Sequence, residues 1–179
     1  MNIPWLVAQT LIIIWPPYVA NAAPVLARRI FRRAHPVDGG RLFIDGKRIL
    51  GDGKTYEGLA VGVAIGTLGG YATILLIRLL AGSTFNYPTL TDALAMSTAA
   101  LLGDMLGAFI KRRLGLKRGD PAPLLDQLDF LLASLLALHF TDPSLLTAAI
   151  AVTAIVVTPP IHLATNTGAY LLKLKNEPW

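Results

Sequence analysis

Three aspartates in the segment 102–130 stand where an apolar chain rarely carries charge. Asp104 lies near the end of one apolar stretch. Asp126 and Asp129 open the next, three residues apart and so on one helix face. The connection between them holds Lys111, Arg112, Arg113, Lys117 and Arg118. Ionisable groups at membrane depth are costly and mark functional sites. Carboxylates beside a cationic loop are what a divalent metal and a polyphosphate need, with oxygen ligands for the cation and Lys and Arg for the phosphate charge. With oxygen donors and no cysteine, the expected ion is Mg2+, held by Asp104, Asp126 and Asp129. Asp126 and Asp129 have a competing account as charge–dipole partners of a helix start after Pro121 and Pro123. Asp104 has none, because it is expected about one turn inside a C-terminal helix end. Ala100 and Ala108 on its own face leave room for a ligand.

These groups need a scaffold, and composition sets its class. The chain has 179 residues, is 54% apolar and only 15% charged. About 25% charged would be usual for a soluble domain. Apolar stretches near the ~20 residues needed to cross a bilayer predict an all-α polytopic membrane protein forming one domain over 1–179. Five spans are expected, at 3–26, 56–80, 91–110, 123–139 and 144–171. The first is read as a retained span, because its Arg cluster follows the apolar run rather than preceding it. Fifteen of the sixteen Lys and Arg fall in 27–55, 111–122 and the C-terminal tail, leaving only Arg78 on the other side. The positive-inside rule then places the N-terminus outside and both long loops and the C-terminus in the cytoplasm. Four of those cations, Arg28, Arg29, Arg32 and Arg33, suit lipid headgroups as anchors. Without cysteine, disulfides and thiolate metal sites are excluded.

Small residues recur at every fourth position: Gly58, Gly62, Gly66 and Gly70 in the second span, and Ala95, Ala99, Gly103 and Gly107 in the third. Such stripes let helix backbones approach closely, which would hold Asp104 in place. Pro16-Pro17 and Pro159-Pro160 are expected to interrupt the hydrogen-bond ladders of the first and last spans. Polar residues follow each pair, Asn21 in one and His162, Thr165, Asn166 and Thr167 in the other. A fork for a lipid and ordinary helix bending both fit this pattern. In the first long loop, Asp45-Gly46 between short apolar runs predicts a small β-hairpin over 41–50. Asp38-Gly39-Gly40 and Gly51-Asp52-Gly53-Lys54-Thr55 offer backbone N–H groups and a Lys to phosphate, although plain turns would look the same. The second run is not a P-loop, since Arg48 stands where the first glycine belongs.

Gly103-Asp104, Lys111-Arg112, Lys117 and Asp126-x-x-Asp129 resemble the C-terminal signature of bacterial phosphatidate cytidylyltransferases. Ala108, Arg118 and Gln127 depart from it, standing where that signature has serine, aspartate and arginine. With Pro36 to Arg41 and Asp45 to Thr55 included, the chain more closely resembles the archaeal CDP-archaeol synthase family over nearly its whole length. That resemblance implies an Mg2+-dependent transfer of CMP from CTP to 2,3-bis-O-geranylgeranyl-glycerol 1-phosphate, giving CDP-archaeol and pyrophosphate. It implies a catalytic group of Asp104, Asp126, Asp129 and Lys111. Lys54, Thr55, Arg112, Lys117, Arg118, Asp38, Gly39, Gly40 and Asn21 would bind nucleotide or phosphate. Asn21, His162 and Asn166 are candidates for reading cytosine. The expected partners are CTP, the lipid and the bilayer, with no nucleic acid. A CDP-alcohol phosphotransferase-like enzyme is the competing enzyme class, but its D-G-x-x-A-R motif is missing. A small transporter is the competing class outside enzymes; it would tend to place its acids near the midplane and to show internal repeats.

Overall fold

A computed structural model describes residues 2–117 and 119–174, with Arg28 and Arg29 described by backbone alone. Seven α-helices account for most of it: α1 Ile3–Ala22, α2 Pro24–Ile30, α3 Tyr56–Ala64, α4 Gly70–Ala81, α5 Leu90–Arg113, α6 Leu125–Thr141 and α7 Ala148–Leu171. A π-helical turn, Ile65–Gly69, joins α3 to α4. Side-chain caps start the long helices. Asn2 opens α1, Thr55 opens α3, Thr147 opens α7, and Thr89 forms a reciprocal capping box with Asp92 at α5. Four helical runs are long and apolar enough to cross a bilayer: Ile3–Ala27, Tyr56–Thr84, Leu90–Arg113 and Ala148–Leu171. The fifth expected span, α6, is 17 residues long.

α1 is central and packs on α5, α6, α7 and the α3–α4 run, while α5 and α6 form the most extensive helix pair. Their shared core includes Ile13, Ile14, Met96, Phe130, Leu131 and Leu138. The glycine stripe lets this happen. A Cβ on Gly70 would lie 2.8 Å from Pro16 Cα, one on Gly66 would collide with Ala20, and one on Gly62 would lie 2.7 Å from Leu101 Cδ1. The second span therefore seats against α1 and α5 at once.

Each proline pair removes the N–H groups that would reach back four residues, as expected, while α1 and α7 continue through it as single helices. Two expectations are corrected. α5 extends to Arg113, so Asp104 lies nine residues, or about 13 Å, inside its end. The last helix begins at Ala148 after a 3-10 turn, Pro143–Leu145.

The first long loop folds back at the expected turn. Gly46 takes a positive φ of 73°, Phe43 N–H donates to Lys47 O at 2.8 Å, and Leu42 and Arg48 form one antiparallel bridge. Among the described residues this pairing does not extend into a strand. A second isolated bridge, Pro36 with Thr55, closes the base of the loop.

Candidate active site

The loop and the α5–α6 connection meet at one end of the bundle, and the three aspartates face that junction. Val37 N–H donates to Lys54 O at 2.9 Å and Tyr56 N–H to His35 O at 3.0 Å, which fixes the backbone around Lys54. His35 reinforces this through Glu57, with Nδ1 2.5 Å from Oε1. So positioned, Lys54 reaches inward and its ammonium pairs directly with Asp104. On α6, Asp126 accepts from Lys111 Nζ at 2.9 and 3.0 Å and from Ala122 N–H at 2.9 Å. Lys111 also donates to Asp120 O at 2.7 Å, so the cation bridges the connection to the helix start.

Asp129 lies between these two ion pairs, within electrostatic reach of Asp104, Lys54 and Asp126. Its Oδ1 accepts from Phe130 N–H at 2.6 Å. Its Oδ2 lies against Gly107, where an added Cβ would occupy the carboxylate's own position. Gly103 performs the same service one turn earlier, its Cα facing the Asp129 carbonyl and Ala133. The small stripe of the third span therefore shapes the seat of an acid on α6. Among the described residues, no three carboxylate or imidazole groups converge closely enough to enclose a cation, since Asp104 and Asp126 are each held by a lysine.

Other expected site residues hold the framework. Asp38 is buried and its carboxylate is saturated. It accepts from Arg48 Nη2 at 2.7 Å, Gly51 N–H at 2.8 Å, Leu50 N–H at 3.0 Å and Gly40 N–H at 3.1 Å. The Arg48 guanidinium, with these backbone donors, holds its carboxyl well below the usual carboxylate range. Asp38 thus shapes the loop, while Gly39 and Gly40, both at positive φ, carry the chain around it. Thr55 is buried as the cap of α3, its Oγ1 accepting from Gly58 N–H at 3.1 Å. Arg112 donates to Leu116 O at 2.6 Å across the end of α5. Lys117 is exposed on the connection, and Asn21 sits half-buried in the last turn of α1. Arg118 lies outside the described residues.

Arg113, read only as one more cation, is the clamp between the two loops. Its Nη1 lies 2.7 Å from Asp45 Oδ1 and its Nη2 donates to Arg48 O at 2.5 Å. The guanidinium lies 4.8 Å from the Phe43 ring centre and 4.9 Å from that of Phe109. Two aromatic rings 66 residues apart could not be matched to one arginine from spacing alone. Cation–π contacts of this kind contribute about 0.5–2 kcal/mol each. Arg113→Ala is therefore expected to speed hydrogen exchange at Gly46, Lys47 and Ile49 about tenfold or more, while the core amides of α5 stay protected.

The whole chain can be placed among known proteins on this basis. Residues 3–179 match the model of the CarS-like CDP-archaeol synthases. The chain belongs to the CDP-archaeol synthase family. It is 53% identical over 173 residues to the CDP-archaeol synthase of Pyrobaculum calidifontis, covering 97% of this chain and 98% of that one. It is 56% identical over 171 residues to that of Pyrobaculum arsenaticum, covering 93% and 95%. A solved structure of an intramembrane enzyme for archaeal membrane lipids biosynthesis superimposes with a TM-score of 0.74 at 40% identity, covering 89% of this chain and 94% of that one. With four helical runs long and apolar enough to cross a bilayer and this likeness to an intramembrane enzyme, the chain is a helical, multi-pass membrane protein.

Proposed function

We propose that this member of the CDP-archaeol synthase family transfers CMP from CTP to the phosphate of 2,3-bis-O-geranylgeranyl-glycerol 1-phosphate, releasing pyrophosphate and forming CDP-archaeol. The observation that carries this reading is the junction itself, with Lys54–Asp104 on one side, Lys111–Asp126 on the other and Asp129 between them. A five-span arrangement, with α6 as the short span and the N-terminus outside, puts this junction at the cytoplasmic face, where CTP is available. The turn around Asp45-Gly46, a rudimentary hairpin, covers its mouth.

The acceptor needs no general base. A phosphomonoester has a second pKa of ~6 and is largely dianionic near neutrality. One of its oxygens attacks the α-phosphorus, the bond to the β-phosphate bridging oxygen breaks, and pyrophosphate leaves with that electron pair. Positioning and charge stabilisation are what the protein must provide. Lys54 and Lys111 pair with Asp104 and Asp126 and are placed to turn toward phosphate oxygens. Arg112 and Lys117 add positive charge at the mouth, and Arg118 belongs to the same connection.

The chemistry of the three donors, all carboxylates, suits a hard divalent ion, and Lys54 and Lys111 stand at two of them where such an ion would take their place. Asp104, Asp126 and Asp129 would hold Mg2+ in this reading. Bound there, it would neutralise triphosphate oxygens and polarise the α-phosphoryl group.

Purified protein in detergent, supplied with labelled CTP and the phosphorylated diprenyl glycerol, is expected to form CDP-lipid with Mg2+ and to lose that activity in EDTA. Absence of CDP-lipid with every divalent ion tried would reject the proposal.

A further inference from the structure

The turn in the first long loop carries an apolar tip that stays exposed. Leu42, Phe43 and Ile44 follow one another just before Asp45-Gly46. Phe43 is the anchored one, 39% exposed, its ring edge-on to Phe109 of α5 with centres 5.3 Å apart. Side chains of an extended segment alternate, so its two neighbours face away from that contact. Leu42 is 61% exposed and Ile44 is 94% exposed.

The anchor decides where this tip sits. Leu102, Leu106, Phe109 and Arg113 recur at i, i+4, i+7 and i+11, which is one stripe of α5. Leu102 and Leu106 are more than half exposed on a helix long and apolar enough to cross a bilayer, so this stripe faces lipid. Asp104 lies on the other flank, about 140° around the helix from Phe109. The loop therefore straddles the end of α5. Lys54 reaches Asp104 on one side, and Phe43 rests on the lipid-facing stripe on the other.

Depth follows from the same contacts. Phe109 stands just before Lys111, Arg112 and Arg113, the cations that close α5, and so lies where hydrocarbon gives way to headgroups. Arg113 pins the turn at this level through Asp45, and Lys47 Nζ donates to Arg113 O at 3.2 Å. The chemistry of the tip matches its depth. Arg41 and Lys47 flank the apolar residues, while the acid of the turn, Asp45, is neutralised by Arg113. An apolar point between cations suits a boundary with hydrocarbon on one side and anionic headgroups on the other. A turn facing water would carry polar residues at 42 and 44 instead.

We infer that the 41–48 turn is a membrane-interface anchor, in which Leu42 and Ile44 enter the edge of the bilayer beside α5 while Arg41 and Lys47 meet anionic headgroups. The bilayer then holds the loop from the outer side of α5, and Arg113 holds it from the helix end. Because the same loop carries Lys54, contact with lipid steadies the strap that crosses the candidate site. The inference rests on the helical membrane fold and not on the transfer proposed above, so either can fail without the other.

The chain has no cysteine, so a single introduced cysteine can carry a nitroxide without background labelling. Leu42→Cys and Ile44→Cys test the tip. Leu106→Cys supplies the lipid-facing reference, and Asp52→Cys, exposed on the same loop, the aqueous one. In vesicles of phosphatidylcholine and phosphatidylglycerol, labels at 42 and 44 are expected to follow position 106, colliding with oxygen in preference to a water-soluble nickel chelate. The label at 52 should show the reverse preference. Ile44→Asp gives a second readout at a side chain too exposed to disturb packing. In the same vesicles it is expected to speed hydrogen exchange at Gly46 and Ile49 about tenfold, with the core amides of α5 unchanged. A label at 44 that meets the nickel chelate as freely as one at 52 would overturn the inference. Shielding from both reagents would overturn it too, by showing a second copy or another protein on the tip. Unchanged exchange in Ile44→Asp would show that the bilayer does not hold the turn.

Discussion

Asp129→Asn is expected to lower turnover by at least about a thousandfold, roughly 4 kcal/mol of transition-state stabilisation, without weakening the fold. Among the described residues, Asp104 and Asp126 each pair with a lysine, whereas no cation pairs with Asp129. A partly buried carboxylate without a counter-ion contributes little to stability, and its amide isostere removes the charge while keeping the shape. Asp126→Asn should lose activity to a similar degree for a different structural reason. It takes the counter-charge from Lys111, which keeps only neutral acceptors there, and losing a half-buried, charge-assisted interaction costs about 1–3 kcal/mol. Asp104→Asn likewise removes the counter-charge of Lys54. Turnover and thermal unfolding measured on all three variants should therefore show similar kinetic losses, with a fall in stability for the two paired acids and none for Asp129. Near-normal turnover in any one variant would remove that residue from the site, and marked destabilisation by Asp129→Asn would contradict the geometry.

Four of the spans were legible because hydropathy over twenty residues overwhelms local detail. Close packing was legible from Gly58, Gly62, Gly66 and Gly70. The π-helical turn among them was not, since a four-residue spacing suits an α-helix equally well. The Asp45-Gly46 turn was correctly placed, but the strands were not formed. The loop is held instead by the saturated Asp38 carboxylate and by Arg113, and those contacts supply what a longer ladder would have supplied.

The site was partly legible for a similar reason. Charges inside apolar segments are few, so Asp104, Asp126 and Asp129 stood out. The pairing of Lys54 with Asp104 did not, because the two are fifty residues apart and the glycine-rich run around Lys54 pointed to phosphate rather than to a carboxylate. Thr55 and Asp38 lie beside apparent phosphate-binding glycines, yet their side chains are committed to the α3 cap and the loop core. Such short polar side chains satisfy local backbone donors first, and that competition is not visible in a motif.

Gly107→Ala should reduce turnover by about two orders of magnitude with little change in stability, and the contrast with Gly103→Ala tests the seat of Asp129. The new Cβ at 107 would collide with Asp129 Oδ2 and come within 2.9 Å of its Cγ. A carboxylate at the end of a side chain can rotate away, so the helices stay packed while the acid leaves its position. At 103 the obstruction is the Asp129 carbonyl itself, with Ala133 Cβ only 2.7 Å away. Backbone cannot rotate aside, so α5 and α6 must separate along the most extensive helix contact in the bundle. Gly103→Ala is therefore expected to lower thermal stability measurably and to reduce activity through the fold. Gly168→Ala, where an added Cβ meets nothing within 4 Å, supplies the control and should leave stability unchanged or slightly raised. If Gly107→Ala retained full turnover, the Asp129 carboxylate would be free to act from another position, and the seat formed by α5 would not be what holds it in the site.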